Sequence, residues 1–305
     1  MSILMVGSVA LDSVKTPFGE ANDALGGSAV HAALAARRFA PVDIVGVVGE
    51  DFPAAHIRLL EERGIGLEGL EVVAGGKTFR WGGTYFEDIN RRETRFTELN
   101  VFESFRPQVG EKAAGAPYVF LANIDPELQL EVLGQCRAPK LTMLDTMNLW
   151  IDIRRDALVE AIRRVDIVLM NDEEARQFAG TLSLEKAAQA LLGLGCKRAI
   201  VKKGEHGCLM FSRDGFFAAP ALPLAKVVDP TGAGDTFAGG FVGWLAKQGD
   251  TSEAAARQAV VAGTALASFC VEDFSVHRVA ALDGAELSGR VRRVLDAISC
   301  PPFSL

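Results

Sequence analysis

The sequence predicts an α/β protein with a mainly parallel central sheet, helices on both faces of that sheet, and a small β appendage. Short, almost wholly apolar runs alternate with segments whose apolar residues recur at helical spacing. Strands that are apolar on both faces are typical of parallel sheets buried between helices. One stretch, residues 70–99, breaks this alternation and has the period-two pattern of exposed strands.

The first part of the chain reads as strand, excursion and helix. Residues 3–8 (ILMVGS) form an apolar run, and residues 29–39 (AVHAALAARRF) have helical spacing. Residues 43–49 (DIVGVVG) then predict a strand and residues 51–64 a helix, for which Asp51 is the expected N-cap. These segments make the first β-α units of the expected sheet.

From residue 117 the alternation of strand and helix becomes regular and continues to RAIVKKG at 198–204. After residue 229 helical patterns dominate, at roughly 233–248, 252–270 and 284–298. We therefore expect the last part of the chain to supply helices that cover the sheet.

The appendage is expected to form a small β-sheet. Phe79, Trp81 and Tyr85 fall on one side of its period-two pattern, so they pack on the core, cover a site or lie between subunits. Residues 12–25 are expected to add one or two strands. The predicted division is a core of residues 1–11, 26–69 and 100–305, with this appendage formed by residues 12–25 and 70–99.

Composition excludes several function classes. The 305 residues include 32 Lys and Arg against 39 Asp and Glu, which gives a net charge of −7, and they contain no basic block. A nucleic acid or a membrane surface would repel such a chain more than attract it, so we expect neither as a partner. The five cysteines are scattered and follow no apolar leader, so we expect a reducing cytoplasm. GIGLEG at 64–69 follows a helix and precedes an extended segment, the reverse of the order that dinucleotide binding requires.

Residues 229–241 (DPTGAGDTFAGGF) carry the strongest chemical signal. A helix is predicted to begin near Ala233, so the N–H groups of Gly232, Ala233 and Gly234 form an anion site with the helix dipole. Asp235 follows in the first turn. Alone, it is equally well a carboxylate favoured by the dipole, but an anion site beside a carboxylate is also what phosphoryl transfer to an alcohol requires.

With these residues the sequence resembles the PfkB, or ribokinase-like, carbohydrate and nucleoside kinases. Residues 229–241 fit the C-terminal signature of that family at every constrained position. The resemblance implies a three-layer α/β/α sandwich with a small β-sheet lid. It also implies Asp235 as the catalytic base, Gly232, Ala233 and Gly234 as the anion hole, Thr231 as an ATP contact, and Asp229 as a potassium site in members that depend on monovalent cations.

The N-terminal signature of the family centres on a glycine pair before a helix, which Gly26 and Gly27 match. His31 stands where most members carry asparagine, so the hydrogen bonding to the substrate is expected to differ there. Asp12 occupies the position whose carboxylate binds sugar hydroxyls. By resemblance these residues face the acceptor. A phosphorylated sugar would call for cationic side chains near the lid, and Arg80, Arg91, Arg92 and Arg95 are available there.

Two segments resemble the ATP side of the family's site. Asn171 and Glu174 match its N-x-x-E element, in which the glutamate organises magnesium through water, although the same pair is also typical of a helix capping box. Lys203, Gly204 and Gly207 match the segment that lines the nucleotide, with Lys203 where serine or threonine is common.

The resemblance implies an ATP- and Mg²⁺-dependent kinase for a hydroxyl of a small sugar or related polyol, with a homodimer through the lid as in many members. Two alternatives remain open. A nucleoside is a second acceptor class, and a catalytically silent metabolite sensor is a second function class. Retention of Asp235, the glycines and Glu174 argues against the sensor.

Overall fold

Strands and helices alternate along the chain, whose computed structural model describes residues 1–301. The strands of that part are β1 (Ile3–Val6), β2 (Ala10–Thr16), β3 (Gly19–Gly26), β4 (Val42–Gly49), β5 (Ile65–Val73), β6 (Phe79–Tyr85), β7 (Arg92–Glu98), β8 (Tyr118–Leu121), β9 (Leu141–Asp145), β10 (Ile167–Asn171), β11 (Arg198–Lys202), β12 (Cys208–Ser212) and β13 (Gly215–Ala219). The α-helices are α1 (Ser28–Ala36), α2 (Ala54–Glu62), α3 (Glu111–Ala114), α4 (Pro126–Gln135), α5 (Asn148–Ile153), α6 (Arg155–Arg163), α7 (Asp172–Ala179), α8 (Leu184–Gly193), α9 (Ala233–Gln248), α10 (Glu253–Cys270), α11 (His277–Ala281) and α12 (Gly284–Ile298).

The central sheet has nine strands in the order β13-β12-β11-β10-β9-β8-β1-β4-β5. Its pairs from β11 to β5 are parallel, and β12 and β13 add an antiparallel edge. Parallel strands need crossover connections, which here are mostly helices. The predicted α/β class with a mainly parallel sheet is confirmed.

Alternate residues of β1 show why both faces of the sheet are covered. Ile3 and Met5 belong to the core that includes α1, α9 and α10, whereas Leu4 and Val6 belong to the core that includes α6 and α8. All four side chains are fully buried. A strand that is apolar on both faces can bury all of its side chains only between two layers of helices.

A separate four-stranded sheet, in the order β3-β2-β6-β7, forms the lid. Its β2 and β6 are parallel neighbours, and its outer pairs are antiparallel. Residues 70–73, which the sequence assigned to the lid, instead complete β5 in the central sheet because they pair with Gly46–Gly49 of β4. The lid strands therefore come from residues 10–26 and 79–98.

The helices predicted after residue 229 are confirmed as α9, α10 and α12. Helix α9 packs closely on α1, since a Cβ at Gly239 would lie 2.0 Å from the Ala32 carbonyl oxygen. Among residues 1–301, no helix combines the length and hydropathy needed to cross a membrane. The cytoplasmic location stays a prediction.

The predicted N-cap role of Asp51 is wrong. Helix α2 begins after Pro53 and has no side-chain cap. The Asp51 carboxylate instead accepts hydrogen bonds from Thr78 N and Thr78 Oγ1, both at 2.7 Å. A tertiary contact with the start of the lid therefore replaced the local contact that the sequence suggested.

Candidate active site

Helix α9 begins in a turn held by a buried carboxylate. Asp229, which is 1% exposed, accepts the Thr231 N–H at 2.8 Å and the Ser275 N–H at 3.4 Å. Gly232 then adopts a left-handed conformation with φ of 75°, which favours glycine. A Cβ on Gly232 would also lie 2.3 Å from the His31 ring, so both conformation and packing require glycine there.

The start of α9 leaves backbone donors without protein partners. Within the described residues, the N–H groups of Gly232 and Gly234 donate no hydrogen bond. The N–H of Ala233 donates to the Pro230 carbonyl oxygen at 3.2 Å and so closes the turn; its part in the anion hole stays a prediction. Two of the three expected donors thus remain for an anion at the positive end of the helix dipole.

Asp235 lies in the first turn of α9 and is half-buried. Burial raises the pKa of its carboxyl from 3.8 to about 7, and the Asp145 carboxylate adds to this rise while Lys202 opposes it. A carboxylate whose pKa lies near neutrality is well matched to accepting a proton at pH 7. The residue therefore combines the chemistry of a general base with a position beside the free backbone donors.

Asp145 and Lys202 are site residues that sequence reasoning missed. Asp145 ends β9 and Lys202 ends β11, and their side chains form an ion pair in which Asp145 is 3% exposed and Lys202 17%. Both are charged residues that close apolar strands, which is the signal that could have revealed them. In open α/β sheets, ligands bind outside the carboxyl ends of the strands.

Asn171 and Glu174 form a capping box at the start of α7. The Asn171 side chain accepts the Glu174 N–H at 2.8 Å, and Glu174 Oε2 accepts the Asn171 N–H at 2.7 Å. Burial raises the pKa of Glu174 to about 7, against the lowering effect of Lys202. Glu174 is thus both a helix cap and a buried carboxyl close to Lys202.

Two of the expected acceptor residues, Asp12 and His31, line a small cavity of about 10 Å³ under the lid. Its lining comes from the lid, from α1, from the turn before α9 and from the segment between α10 and α11, and consists of Asp12, Val14, Ala21, Ala24, His31, Asp229, Thr231 and Ser275. Gly26 is needed here because a Cβ would lie 2.0 Å from Asp12 Oδ2. A larger cavity of about 350 Å³, lined by Arg37, Arg38 and Arg63 among others, lies at the C-terminal ends of α1 and α2, away from Asp235.

Asp12 and His31 are both tuned by burial. Burial raises the pKa of Asp12 to about 7, while the Gly27 N–H lowers it and the Asp229 and Asp235 carboxylates raise it. Burial lowers the pKa of His31 to about 4, so its imidazole is neutral at pH 7. His31 Nε2 has no hydrogen-bond partner within the described residues, which is unusual for a buried polar atom and typical of a group that a ligand satisfies.

Arg80 is placed at the base of the lid rather than free in the cleft. Its guanidinium forms ion pairs with Asp23 and Asp51, the second at 2.8 Å. Burial acts to lower its pKa, but the two carboxylates raise it overall. The structure therefore shows Arg80 linking lid and core, and a contact with substrate stays a prediction.

The expected nucleotide segment follows β11. Gly204 and Gly207 have positive φ angles of 53° and 82°, and a Cβ on Gly207 would lie 2.0 Å from the Ala219 carbonyl oxygen. Lys203 is half-buried, and its N–H donates to the Gly207 carbonyl oxygen at 2.7 Å. The glycines thus shape a tight turn at the edge of the cleft.

The lid touches both sides of this cleft. Tyr85 Oη lies 3.2 Å from Thr231 Oγ1, in the turn before α9. At the lid tip, Asn90 Nδ2 donates to Glu205 Oε1 at 3.0 Å, in the nucleotide segment. The expectation of an aromatic lid face is met in part by Tyr85, which is buried, and by Trp81, which packs under the Arg92 guanidinium at 5.4 Å.

Known proteins resemble this chain along most of its length. The family model described as pfkB family carbohydrate kinase matches residues 9–279. The cytidine kinase of Thermococcus kodakarensis is 32% identical over 249 residues, which are 79% of this chain and 87% of that protein. The ribokinase of Lactococcus lactis is 28% identical over 275 residues, 85% of this chain and 88% of that protein.

Solved structures show the same fold. The nucleoside kinase of Methanocaldococcus jannaschii, described as an archaeal member of the ribokinase family, matches with a TM-score of 0.77 at 21% identity, over 96% of this chain and 98% of that one. A putative ribokinase II from E. coli, in complex with ATP and Mg²⁺, matches with a TM-score of 0.78 at 19% identity, over 96% and 99%. The predicted ribokinase-like sandwich with its lid is confirmed.

Matched over most of its length by the family model, with the glycine turn and aspartate at the start of α9, the chain belongs to the pfkB family of carbohydrate kinases, phosphotransferases that carry a phosphoryl group from ATP to a hydroxyl of a sugar or nucleoside.

Proposed function

We propose that the acceptor of this kinase is an uncharged polyol, a nucleoside first and a free sugar second. The observation that carries this proposal is the lining of the acceptor-side cavity. Asp12, Asp229 and neutral His31 line it, together with Thr231 and Ser275, and no lysine or arginine does. Carboxylates and a neutral imidazole suit hydroxyl groups, whereas a phosphate or carboxylate on the acceptor would be repelled by Asp12 and Asp229.

The contacts of two lid arginines, Arg80 and Arg95, support the same conclusion. Arg80 is held between Asp23 and Asp51, so its charge is already balanced. Arg95 donates to the Ser13 carbonyl oxygen at 3.1 Å. Arg80 and Arg95 are therefore already engaged by protein groups, which leaves them less free to bind the charge of a sugar phosphate or sugar acid.

A nucleoside is preferred over a free sugar for two reasons. The cytidine kinase is 32% identical over most of its length, and Trp81 offers the lid a flat aromatic surface on which a base can stack. The ribokinase similarity keeps the free sugar as the second candidate.

In this proposal Asp235 accepts the proton of the acceptor hydroxyl while that oxygen attacks the terminal phosphorus of ATP. The new bond joins acceptor oxygen to phosphorus, the bond to the bridging oxygen breaks, and ADP leaves. Gly232 and Gly234 donate their N–H groups to the transferring phosphoryl group. Asn171, Lys203, Gly204 and Gly207 are proposed to hold the rest of the nucleotide.

Magnesium is proposed at Glu174. The described residues contain no group of three or more His, Cys, Asp or Glu side chains that could hold a metal ion alone, which suits an ion bound mainly by water and phosphate. When bound, magnesium supplies positive charge to the phosphates. Each oxygen of Asp229 accepts one backbone N–H group, and a potassium site there stays a prediction.

A coupled ADP-release assay tests the proposal with cytidine, other ribonucleosides, ribose, a sugar acid and a sugar phosphate as acceptors. We expect turnover with uncharged acceptors and the highest kcat/KM with a nucleoside. Asp235→Asn should lower kcat by about 10² or more, the scale of general-base catalysis, with ATP affinity nearly unchanged. Asp214→Asn, in an exposed turn, is the matched control.

An Asp235→Asn enzyme as active as the wild type would remove Asp235 from the proposed role. Preference for the sugar phosphate or sugar acid would refute the uncharged acceptor. Saturable ligand binding without turnover on any acceptor would instead favour a metabolite sensor.

A further inference from the structure

Lys202 is the first residue of the segment 202–207 that resembles the family's nucleotide-lining turn, and no role was assigned to it from the sequence. It ends β11 beside Asn171 of β10, with which it is in register. Its Nζ would lie 3.1 Å from a Cβ on Gly234, so the ammonium group lies against the glycine turn at the start of α9. The lysine therefore joins the end of the central sheet to the backbone donors proposed to hold the phosphoryl group.

The partner of Lys202 is itself firmly held. One oxygen of Asp145 pairs with Lys202 Nζ, and the other accepts the Thr146 N–H at 2.9 Å. The Asp145 carbonyl oxygen accepts from Gln129 Nε2 at 3.0 Å, and Gln129 is fully buried. Asp145 is thus fixed at both its backbone and its side chain, and it fixes the ammonium in turn.

The ammonium group has capacity left for a ligand. A lysine carries three N–H donors, and among the described residues the side chain of Lys202 bonds only to Asp145. The Lys202 side chain is 17% exposed, although Asp145 beneath it is 3% exposed. The structure thus places a partly satisfied cation where it can still be reached from the cleft.

The charges around Lys202 keep it protonated. Burial acts to lower its pKa, but Asp145, Glu174 and Asp235 together raise the pKa overall. A lysine that stays charged amid three carboxyl groups can exchange part of that pairing for the oxygens of a phosphoryl group.

We propose that Lys202 binds the oxygens of the phosphoryl group in transfer and that Asp145 is the residue that positions it. This proposal rests on the phosphoryl site proposed at the start of α9. Lys202 then adds a positive charge, positioned by Asp145, to the N–H donors of Gly232 and Gly234, on the side of the group nearest the sheet. Charge that builds up on the equatorial oxygens in the transition state is stabilised by such a cation.

The proposal also predicts a link between Lys202 and the base. Asp235 is influenced by Asp145 and Lys202, and it in turn influences Asp12 and Cys270. Removing the ammonium takes away the one positive side chain in this set, so the pKa of Asp235 should rise further. The acid limb of the kcat/KM profile should therefore move to higher pH.

The test compares Lys202→Met with Lys202→Arg, Asp145→Asn and a control, Lys197→Met. Lys197 precedes β11, is exposed and pairs with Asp166. Calorimetry measures the affinities for ATP and ADP with magnesium, and steady-state assays measure kcat and KM against pH. We expect Lys202→Met to lower kcat by about 10² to 10³, the scale of a lost oxyanion donor, and to reduce the preference for ATP over ADP at least about tenfold.

Asp145→Asn should give a smaller loss of the same kind, and Lys202→Arg should restore part of the ATP preference. Because Lys202→Met leaves Asp145 buried without its partner, a double variant, Asp145→Asn with Lys202→Met, removes both charges and guards against misfolding. A folded Lys202→Met variant, alone or combined with Asp145→Asn, that keeps both the wild-type ATP preference and the wild-type acid limb would overturn the proposal. If the wild type turns over no acceptor, the proposed function fails, yet the ATP-to-ADP ratio still tests Lys202.

Discussion

Glu174 combines a structural role, as a helix cap, with a proposed role in binding magnesium. As the third residue of α7 it accepts the Asn171 N–H at 2.7 Å and closes a capping box. As a carboxyl that is 6% exposed, with a pKa raised to about 7 by burial, it also lies under the influence of Lys202 and Asp145. A cap needs only a hydrogen-bond acceptor, whereas an anchor for hydrated magnesium needs the negative charge.

Glu174→Gln separates these two roles. Glutamine also serves at this position of a capping box, so we expect the thermal midpoint to change little. Loss of the charge should raise the magnesium concentration that gives half-maximal activity several-fold, measured by titrating Mg²⁺ at fixed ATP. Glu286→Gln is the matched control, because Glu286 closes the capping box of α12 with Asp283. An unchanged magnesium requirement would leave Glu174 as a cap alone.

Single residues also show where sequence reasoning reached its limit. Asp235 and Gly232 could be predicted because their spacing within one short segment is itself the signal. Asp145 and Lys202 could not, since they lie 57 positions apart and meet only where two strands of the sheet end side by side. The free N–H expected of Ala233 was lost to Pro230 in a turn whose closure the sequence does not specify.

At the scale of elements, the contact between α1 and α9 positions the site. Gly239 of α9 faces the backbone of α1, where a Cβ would lie 2.0 Å from Ala32 O, and Gly243 faces Ala36 in the same way at 2.8 Å. This close approach brings the His31 ring of α1 against Gly232 at the start of α9. The small residues of the two helices therefore fix the distance between His31 and the start of α9, which are proposed to bind the acceptor and the phosphoryl group.

Gly239→Ala should destabilise the protein by about 1–3 kcal/mol, the usual cost of overpacking. The obstruction is backbone, so no side-chain rotation can relieve it, and α9 must move away from α1. Urea denaturation gives the change in midpoint. Gly289→Ala is the control, because Gly289 lies on α12 with open space around it and alanine there should stabilise by about 0.5–1 kcal/mol. Equal effects of the two substitutions would contradict the packing argument.

The elements themselves were largely predictable from apolar periodicity, because the β1 residues and the late helices bury complete faces. Asp51 failed as a predicted N-cap because Thr78, 27 residues later, offers two donors to its carboxylate. The end of β5 was assigned to the lid because its pairing with β4 is a contact between distant segments. The periodicity of apolar residues thus predicts that a helix or strand forms, whereas contacts with distant segments decide where it ends and how it is capped.

At the scale of the whole molecule, the lid closes the cleft at both ends. Tyr85 reaches the turn before α9, and Asn90 reaches Glu205 of the nucleotide segment. A closed lid excludes water that would otherwise compete for the phosphoryl group. That the lid also joins two subunits stays a prediction.

Asn90→Ala removes the contact at the lid tip. We expect the ratio of ADP formed to phosphorylated acceptor to rise above one, because water enters a less fully closed site, and the KM for the acceptor to increase. Both products can be quantified from one reaction. Glu87→Ala, in the same loop, is the control, since Glu87 makes no side-chain hydrogen bond within residues 1–301. A ratio that stays at one, with an unchanged KM, would refute a sealing role for Asn90.

The proposed acceptor and nucleotide residues lie on different sheets, which has a consequence for how the lid would move. Asp12 belongs to β2 of the lid sheet, whereas Lys202 ends β11 of the central sheet and Glu174 lies in the first turn of α7, directly after β10. In the proposed function, rotation of the lid as a rigid body would carry Asp12, and an alcohol bound to it, relative to the residues proposed to hold the nucleotide. One angle would then set the separation of the two reactants, so that the movement that brings them together would also exclude solvent.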